Sequence, residues 1–157
     1  MERTLLIVKP DAVQRGLIGK VISRFEEKGL KLAALKLMKL SSEKAGELYA
    51  PHKGKSFYEP TVQFMTSSPL VAMVLEGRMA IGLVRKIIGA TRPEEAAPGT
   101  LRGDFATSVQ LNIVHASDSP ENAEREISIF FDRNEIFEYN VVSEIWSGNK
   151  EESGIRA

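Results

Sequence analysis

Apolar residues in this chain come in short runs, the longest from Leu70 to Leu75, and these alternate with stretches whose apolar residues recur every three or four positions. Strand-length runs set between amphipathic helices restrict the chain to a sheet covered by helices. Thr4-Leu5-Leu6-Ile7-Val8 reads as a buried strand stopped at Lys9-Pro10, because proline has no N–H to give a ladder. Leu17, Ile18, Val21, Ile22 and Phe25 line one face of a helix closed by Gly29. Leu30 to Leu40 is a second strand, and its phase slips at Ala33-Ala34, which predicts a bulge. Ser41-Ser42 caps a helix running through Tyr49. A short helix is expected from about Ser56 to Met65, with Pro60 tolerated if it falls in the first turn.

Leu70 to Glu76 is the third strand, bounded by Pro69 and Gly77. Met79, Ile81, Leu83, Val84, Ile87 and Ile88 predict a helix ending at Gly89. Thr91 to Phe105 contains Pro93, Pro98, Gly99 and Gly103, shows no sustained period, and reads as a long functional loop. Asn112 to His115 is the fourth strand. Ser119 and Pro120 are the N-cap and first residue of a last helix, faced by Ala123, Ile127, Phe130 and Phe131. Without its insertions the order is βαββαβ. The expected fold is therefore α+β and ferredoxin-like: a four-stranded antiparallel sheet, helices on one face of it, and an irregular loop before the last strand. At 157 residues it makes one domain, expected over 1–146, with 147–157 as a polar, flexible tail.

Composition closes off several chemistries. There is no cysteine, which removes disulfides, thiolate zinc sites and thiol catalysis. Lys+Arg and Asp+Glu are 21 each, so no global field draws nucleic acid or an anionic membrane, and an anion site must be built locally. No apolar run approaches the roughly 20 residues that span a bilayer. Met1-Glu2-Arg3 leads straight into the first strand, which leaves no room for a signal peptide and points to the cytoplasm.

Of the two histidines, His115 ends an apolar strand and precedes a helix start. A helix N-terminus carries about half a positive charge and favours the neutral, nucleophilic ring. The alternative is a capping histidine bonded to backbone. Glu126 borders the apolar stripe of the next helix, where it either orients His115 or covers apolar surface with its stem. Lys9 at a strand end, Arg85 on an apolar helix and Arg102 in the long loop could together hold phosphate; each alone reads equally as a solvated charge. Because Arg102 is read as a loop residue, its removal is expected to leave unfolding nearly unchanged. Gly54-Lys55-Ser56 imitates the end of a P-loop, but Tyr49 stands where the first glycine belongs and no strand precedes it.

Asn112-Ile113-Val114-His115-Ala116-Ser117-Asp118 resembles the N-x-x-H-G/A-S-D signature of the nucleoside diphosphate kinases. Thr4 to Asp11 and Arg92 to Phe105 resemble two further segments of that family in the same order, and the likeness covers about Thr4 to Trp146. The resemblance implies ping-pong transfer of a γ-phosphate from an NTP to an NDP through a phosphohistidine, with broad base specificity. It implies His115 as the nucleophile through Nδ1, Glu126 on the other ring nitrogen, Ser117 supporting Glu126, and Tyr49 beside the imidazole. Arg85, Thr91 and Arg102 are implied to grip phosphates, Lys9 and Asn112 to meet the ribose hydroxyls, Lys9 also to approach the transferred phosphate, and Phe57 and Val109 to enclose the base. Mg²⁺ is implied to arrive on the nucleotide phosphates rather than on direct protein ligands, with Asp118 reached through water. A homohexamer is implied, a tetramer being the alternative, with no membrane and no obligatory nucleic acid partner.

For Asn112 and His115 to share a site, strict alternation must fail between them, so the regular strand should begin near Ile113. Ala116 stands where the family most often has Gly, and Thr61 where it usually has Leu. Two rivals remain at this point: a nucleotide-binding regulatory module with a structural His115, and an RNA-binding βαββαβ sheet.

Overall fold

A computed structural model describes residues 1–142. The expected tail at 147–157 and the domain limit at 146 lie outside the described residues. β1 (Glu2–Val8), α1 (Pro10–Gln14), α2 (Ile18–Glu27), β2 (Lys31–Met38), α3 (Ser42–Leu48), α4 (Tyr58–Ser67), β3 (Leu70–Gly77), α5 (Ala80–Ile88), α6 (Leu101–Phe105), β4 (Val114–Ala116) and α7 (Pro120–Phe130) follow in order, with short 3-10 turns at Ala50–His52, Pro93–Glu95 and Arg133–Glu135. The sheet order is β2-β3-β1-β4 and each neighbouring pair is antiparallel, the ferredoxin-like arrangement.

Local chemistry explains most of these boundaries. The Ser41 and Ser119 hydroxyls accept from the N–H groups of Lys44 and Asn122 and start α3 and α7. Gly29 and Gly89, both at φ 85°, take up the left-handed backbone that ends α2 and α5. Pro60 lies in the first turn of α4, where its missing N–H removes no bond. The register of β2 against β3 shifts between Leu32 and Ala34, so the bulge stands where the period slips.

Three expectations are corrected. Helices cover both faces of the sheet. Leu6 and Val8 pack with Val21, Phe25, Val84 and Ile88 of α2 and α5. Leu5 and Ile7 pack with Ala45, Leu48, Met65 and Phe130 of α3, α4 and α7. The signal was the unbroken apolar run of β3, every residue of which is buried; a one-sided sheet alternates. Pro10 does more than stop β1, since it is the first residue of α1. Finally, Thr91–Phe105 is not wholly irregular: the Thr100 hydroxyl accepts from Gly103 N–H and caps α6.

Candidate active site

His115 lies on β4 opposite Ile7 of β1. Paired residues share a face of the sheet, so its ring points to the side covered by α3 and α7. There its Nε2 is 3.0 Å from Glu126 Oε2, and the Ser117 hydroxyl donates to that same oxygen at 2.6 Å. Glu126 is among the buried residues of α7, 5% exposed. Burial alone would raise its carboxyl pKa, but the His115 and Ser117 bonds and the Arg125 charge outweigh it and hold the group below the usual carboxylate range. An ionised carboxylate only accepts, so Nε2 carries a proton, and in the neutral form of the ring the lone pair is on Nδ1. Among the described residues Nδ1 has no hydrogen-bond partner. The Tyr49 ring, at the C-terminus of α3, stands edge-on to the imidazole with centroids 6.1 Å apart. Its hydroxyl is buried without a hydrogen-bond partner among the described residues, and burial, then the Glu126 charge, pushes the phenol pKa up.

A second group meets at the C-terminal end of β1. Lys9 Nζ donates to Asn112 Oδ1 at 2.6 Å, and Asn112 Nδ2 donates to the Thr91 carbonyl at 3.1 Å. Burial first, then repulsion from Arg102, lowers the Lys9 ammonium pKa to about 8 against the pull of Asp11. Arg102 donates to the carbonyls of Asn112 (3.3 Å), Gly89 (3.1 Å) and Val114 (2.8 Å). It is 4% exposed, and burial, then the Arg85 charge, lowers its pKa to about 10. This corrects the reading of Arg102 as an unburied loop residue. It sits on α6 and ties three backbone segments together, so its loss must also cost stability. Arg85, exposed on α5, reaches the Ala116 carbonyl at 3.4 Å. Asn112 precedes β4, which begins at Val114, so strand alternation does not separate it from His115.

Phe57 and Val109 stand apart from these two groups in their contacts, and Asp118 meets them through the charges of Arg85 and His115. Phe57, 49% exposed, meets the His52 ring at 5.3 Å and lies under Lys55 Nζ. Val109 is exposed. Asp118 accepts from Asn122 Nδ2 at 2.7 Å, and this bond, despite slight desolvation, holds its carboxyl below its usual range. Gly54-Lys55-Ser56 lies in turns between the Ala50–His52 turn and α4, not between a strand and a helix. The sequence reading passed over Asp11 as a contributor: its Oδ2 accepts the Ile113 N–H at 3.1 Å. No local pattern marks that partnership, which joins residues 102 positions apart.

An imidazole fixed at one nitrogen and free at the other, on a strand whose Val114 and Ala116 carbonyls take bonds from Arg102 and Arg85, defines a protein suited to receive and move a phosphoryl group. The model of the nucleoside diphosphate kinase family matches residues 2–136. A nucleoside diphosphate kinase of Kosmotoga olearia is 56% identical over 144 residues, 92% of this chain and 98% of that one. One from Archaeoglobus fulgidus is 55% identical over 146 residues, 93% and 97% of the two chains. Among solved structures, the halophilic nucleoside diphosphate kinase of Halobacterium salinarum, in complex with CDP, superposes with a TM-score of 0.91 at 45% identity, covering 93% of this chain and 97% of that one. The chain belongs to the nucleoside diphosphate kinase family, and it is a transferase of that type.

Proposed function

We propose that the transfer runs through His115. Its Nδ1 lone pair attacks the γ-phosphorus of a bound NTP, the bond from that phosphorus to the β,γ-bridging oxygen breaks, and NDP leaves with the electron pair. The N–P bond makes the ring cationic, and the Nε2–H bond to Glu126, itself steadied by Ser117, stabilises that charge. A second NDP then attacks the phosphohistidine through a terminal β-phosphate oxygen and restores the neutral ring. The observation that carries this reading is the 3.0 Å contact from Nε2 to a buried, ionised Glu126, which leaves Nδ1 as the free nitrogen.

Arg85, Arg102 and the Thr91 hydroxyl hold the phosphates. Lys9 and Asn112 hold the ribose hydroxyls, with Lys9 near the transferred group, and Tyr49 packs against the imidazole. Such positioning and charge neutralisation are most of what phosphoryl transfer asks of a protein. Phe57 and Val109, exposed and apolar, enclose the base without reading its edges, so all bases are accepted. Mg²⁺ on the nucleotide phosphates would spread their charge as the P–O bond breaks. Asp118 fits an outer contact to it through water, since Asn122 already holds that exposed carboxylate in its ionised form.

The CDP of the halobacterial relative supports nucleotides as the substrates. Self-association, as a homohexamer rather than a tetramer, is supported by the long Thr91–Phe105 connection. Leu35 and Leu37, 49% and 64% exposed on edge strand β2, offer apolar surface to a second copy. The place of action is the cytoplasm, and no helix among the described residues is long and apolar enough to cross a membrane. A balanced charge gives nucleic acid no field to follow.

Incubation with ATP and Mg²⁺ but no acceptor tests the reading. The chain should take up one acid-labile, base-stable phosphate and release it to any added NDP, with parallel double-reciprocal lines. Intersecting lines would mean direct transfer and overturn it.

A further inference from the structure

Resting on that reading of the site, we infer that Asp11 is a positioning residue: by accepting the Ile113 N–H it holds a left-handed turn that lets Asn112 and His115 serve one cleft. Ile113 has φ 64°, a conformation that is unfavourable for a β-branched residue and persists only where the surroundings impose it. The Asn112 carbonyl accepts Val114 N–H at 2.8 Å, which closes a three-residue turn around Ile113. Both backbone polar groups of Ile113 are tied to the junction of β1 and α1. Its N–H goes to Asp11 Oδ2 at 3.1 Å, and its carbonyl accepts Lys9 N–H at 2.9 Å.

The turn changes the phase of the chain. Adjacent residues of a strand point to opposite faces, yet Ile113 and Val114 bury in the same apolar cluster, with α2 and α5. His115 can then enter β4 facing α7, while Asn112 stays behind with its side chain between Lys9 and Thr91. Besides its attraction to the Lys9 ammonium, Asp11 has this backbone bond, and its Oδ1 is buried without a hydrogen-bond partner among the described residues. Beyond the turn His115 is held separately, by its pairing with Ile7 of β1 and by Glu126 and Ser117. Loss of Asp11 should therefore disturb the nucleotide-holding side and spare the nucleophile.

The experiment compares two phosphoryl donors on the full chain, ATP with Mg²⁺ and phosphoramidate, which gives its phosphoryl group to an imidazole nitrogen and releases ammonia. Asp11→Ala should slow labelling by ATP by about 10²-fold, as expected for misplacement of substrate-holding groups, chiefly through KM. Labelling by phosphoramidate should stay within about threefold of the wild type. Asp11→Asn, whose side-chain carbonyl can accept the same N–H, should restore ATP labelling to within about threefold. Asp11→Glu, which overshoots by one methylene, should repeat the ATP-specific loss and serves if Asp11→Ala does not fold. Equal losses with both donors would mean a scaffold effect and overturn the inference, as would full ATP labelling in Asp11→Ala or an Asp11→Asn protein as impaired as Asp11→Ala. If the wild type takes phosphate from neither ATP nor phosphoramidate, it is the phosphohistidine reading that fails.

Discussion

The two ends of β1 treat buried charge in opposite ways. At the N-terminal end, Arg3 Nε donates to Glu76 at 2.6 Å and Lys31 pairs with the same carboxylate. Burial raises the Glu76 pKa, and the bonds from Lys31 and Arg3 more than reverse the effect. At the C-terminal end, Lys9 and Arg102 donate to a side-chain amide and to backbone carbonyls, all neutral. Lys9 and Arg102 are both shifted toward losing their protons. A cation matched by a carboxylate is finished structure. A cation desolvated among neutral dipoles gains most from an anion that arrives later, and a polyphosphate is such an anion.

Four experiments break or sharpen this contrast. His115→Ala should abolish the covalent phosphate and essentially all turnover, whereas His52→Ala should keep both; mass measurement after ATP treatment reads the first and a coupled assay the second. Arg102→Ala should lower kcat/KM by about 10³–10⁵-fold, the usual loss for an arginine acting on a transferring phosphoryl group. Because three carbonyls lose their donor, it should also lower stability in a denaturant melt by about 1–3 kcal/mol. More than about a tenth of wild-type kcat/KM remaining would remove Arg102 from the phosphate site.

The third experiment is a pH profile. Lys9 is charged below a pKa of about 8 and neutral above it, so kcat/KM, which reports the free enzyme, should fall as the pH rises past that point. Lys9→Arg keeps its charge and should lose that limb. The smallest effect on activity is expected at the matched end. Glu76→Gln should leave turnover per folded molecule unchanged while lowering stability by about 3 kcal/mol, because buried Lys31 loses the carboxylate that matches its charge. The Glu76 pKa lies below its unfolded value. Its stabilisation is therefore full above the ordinary carboxylate range and is lost as the pH falls through the folded value, so the variant should flatten the acid side of a stability–pH curve.

Much of the candidate site was legible in the sequence. His115 and Glu126 sit on elements whose limits are set by nearby residues, the Ser119 cap and the apolar stripe of α7. The cations were visible as residues but not as environments: nothing near Arg102 in the chain announces that Gly89, Asn112 and Val114 will surround its guanidinium. The one-face reading of the sheet failed because α3 and α4 were treated as insertions, although Leu5 and Ile7 needed cover.

What the sequence determined by itself is what local physics decides: strand and helix limits, caps, the bulge at Ala33-Ala34, and a histidine at a strand end. These depend on backbone sterics and on hydrogen bonds a few residues long. Only the tertiary structure decided which groups share a dielectric and which backbone bends to let them meet. The left-handed Ile113 is an unfavourable local choice, and it exists because Asp11 and Lys9, a hundred residues upstream, hold both of its polar backbone groups. Such a conformation has no local signal, since the free energy that maintains it comes from contacts made after the sheet has closed.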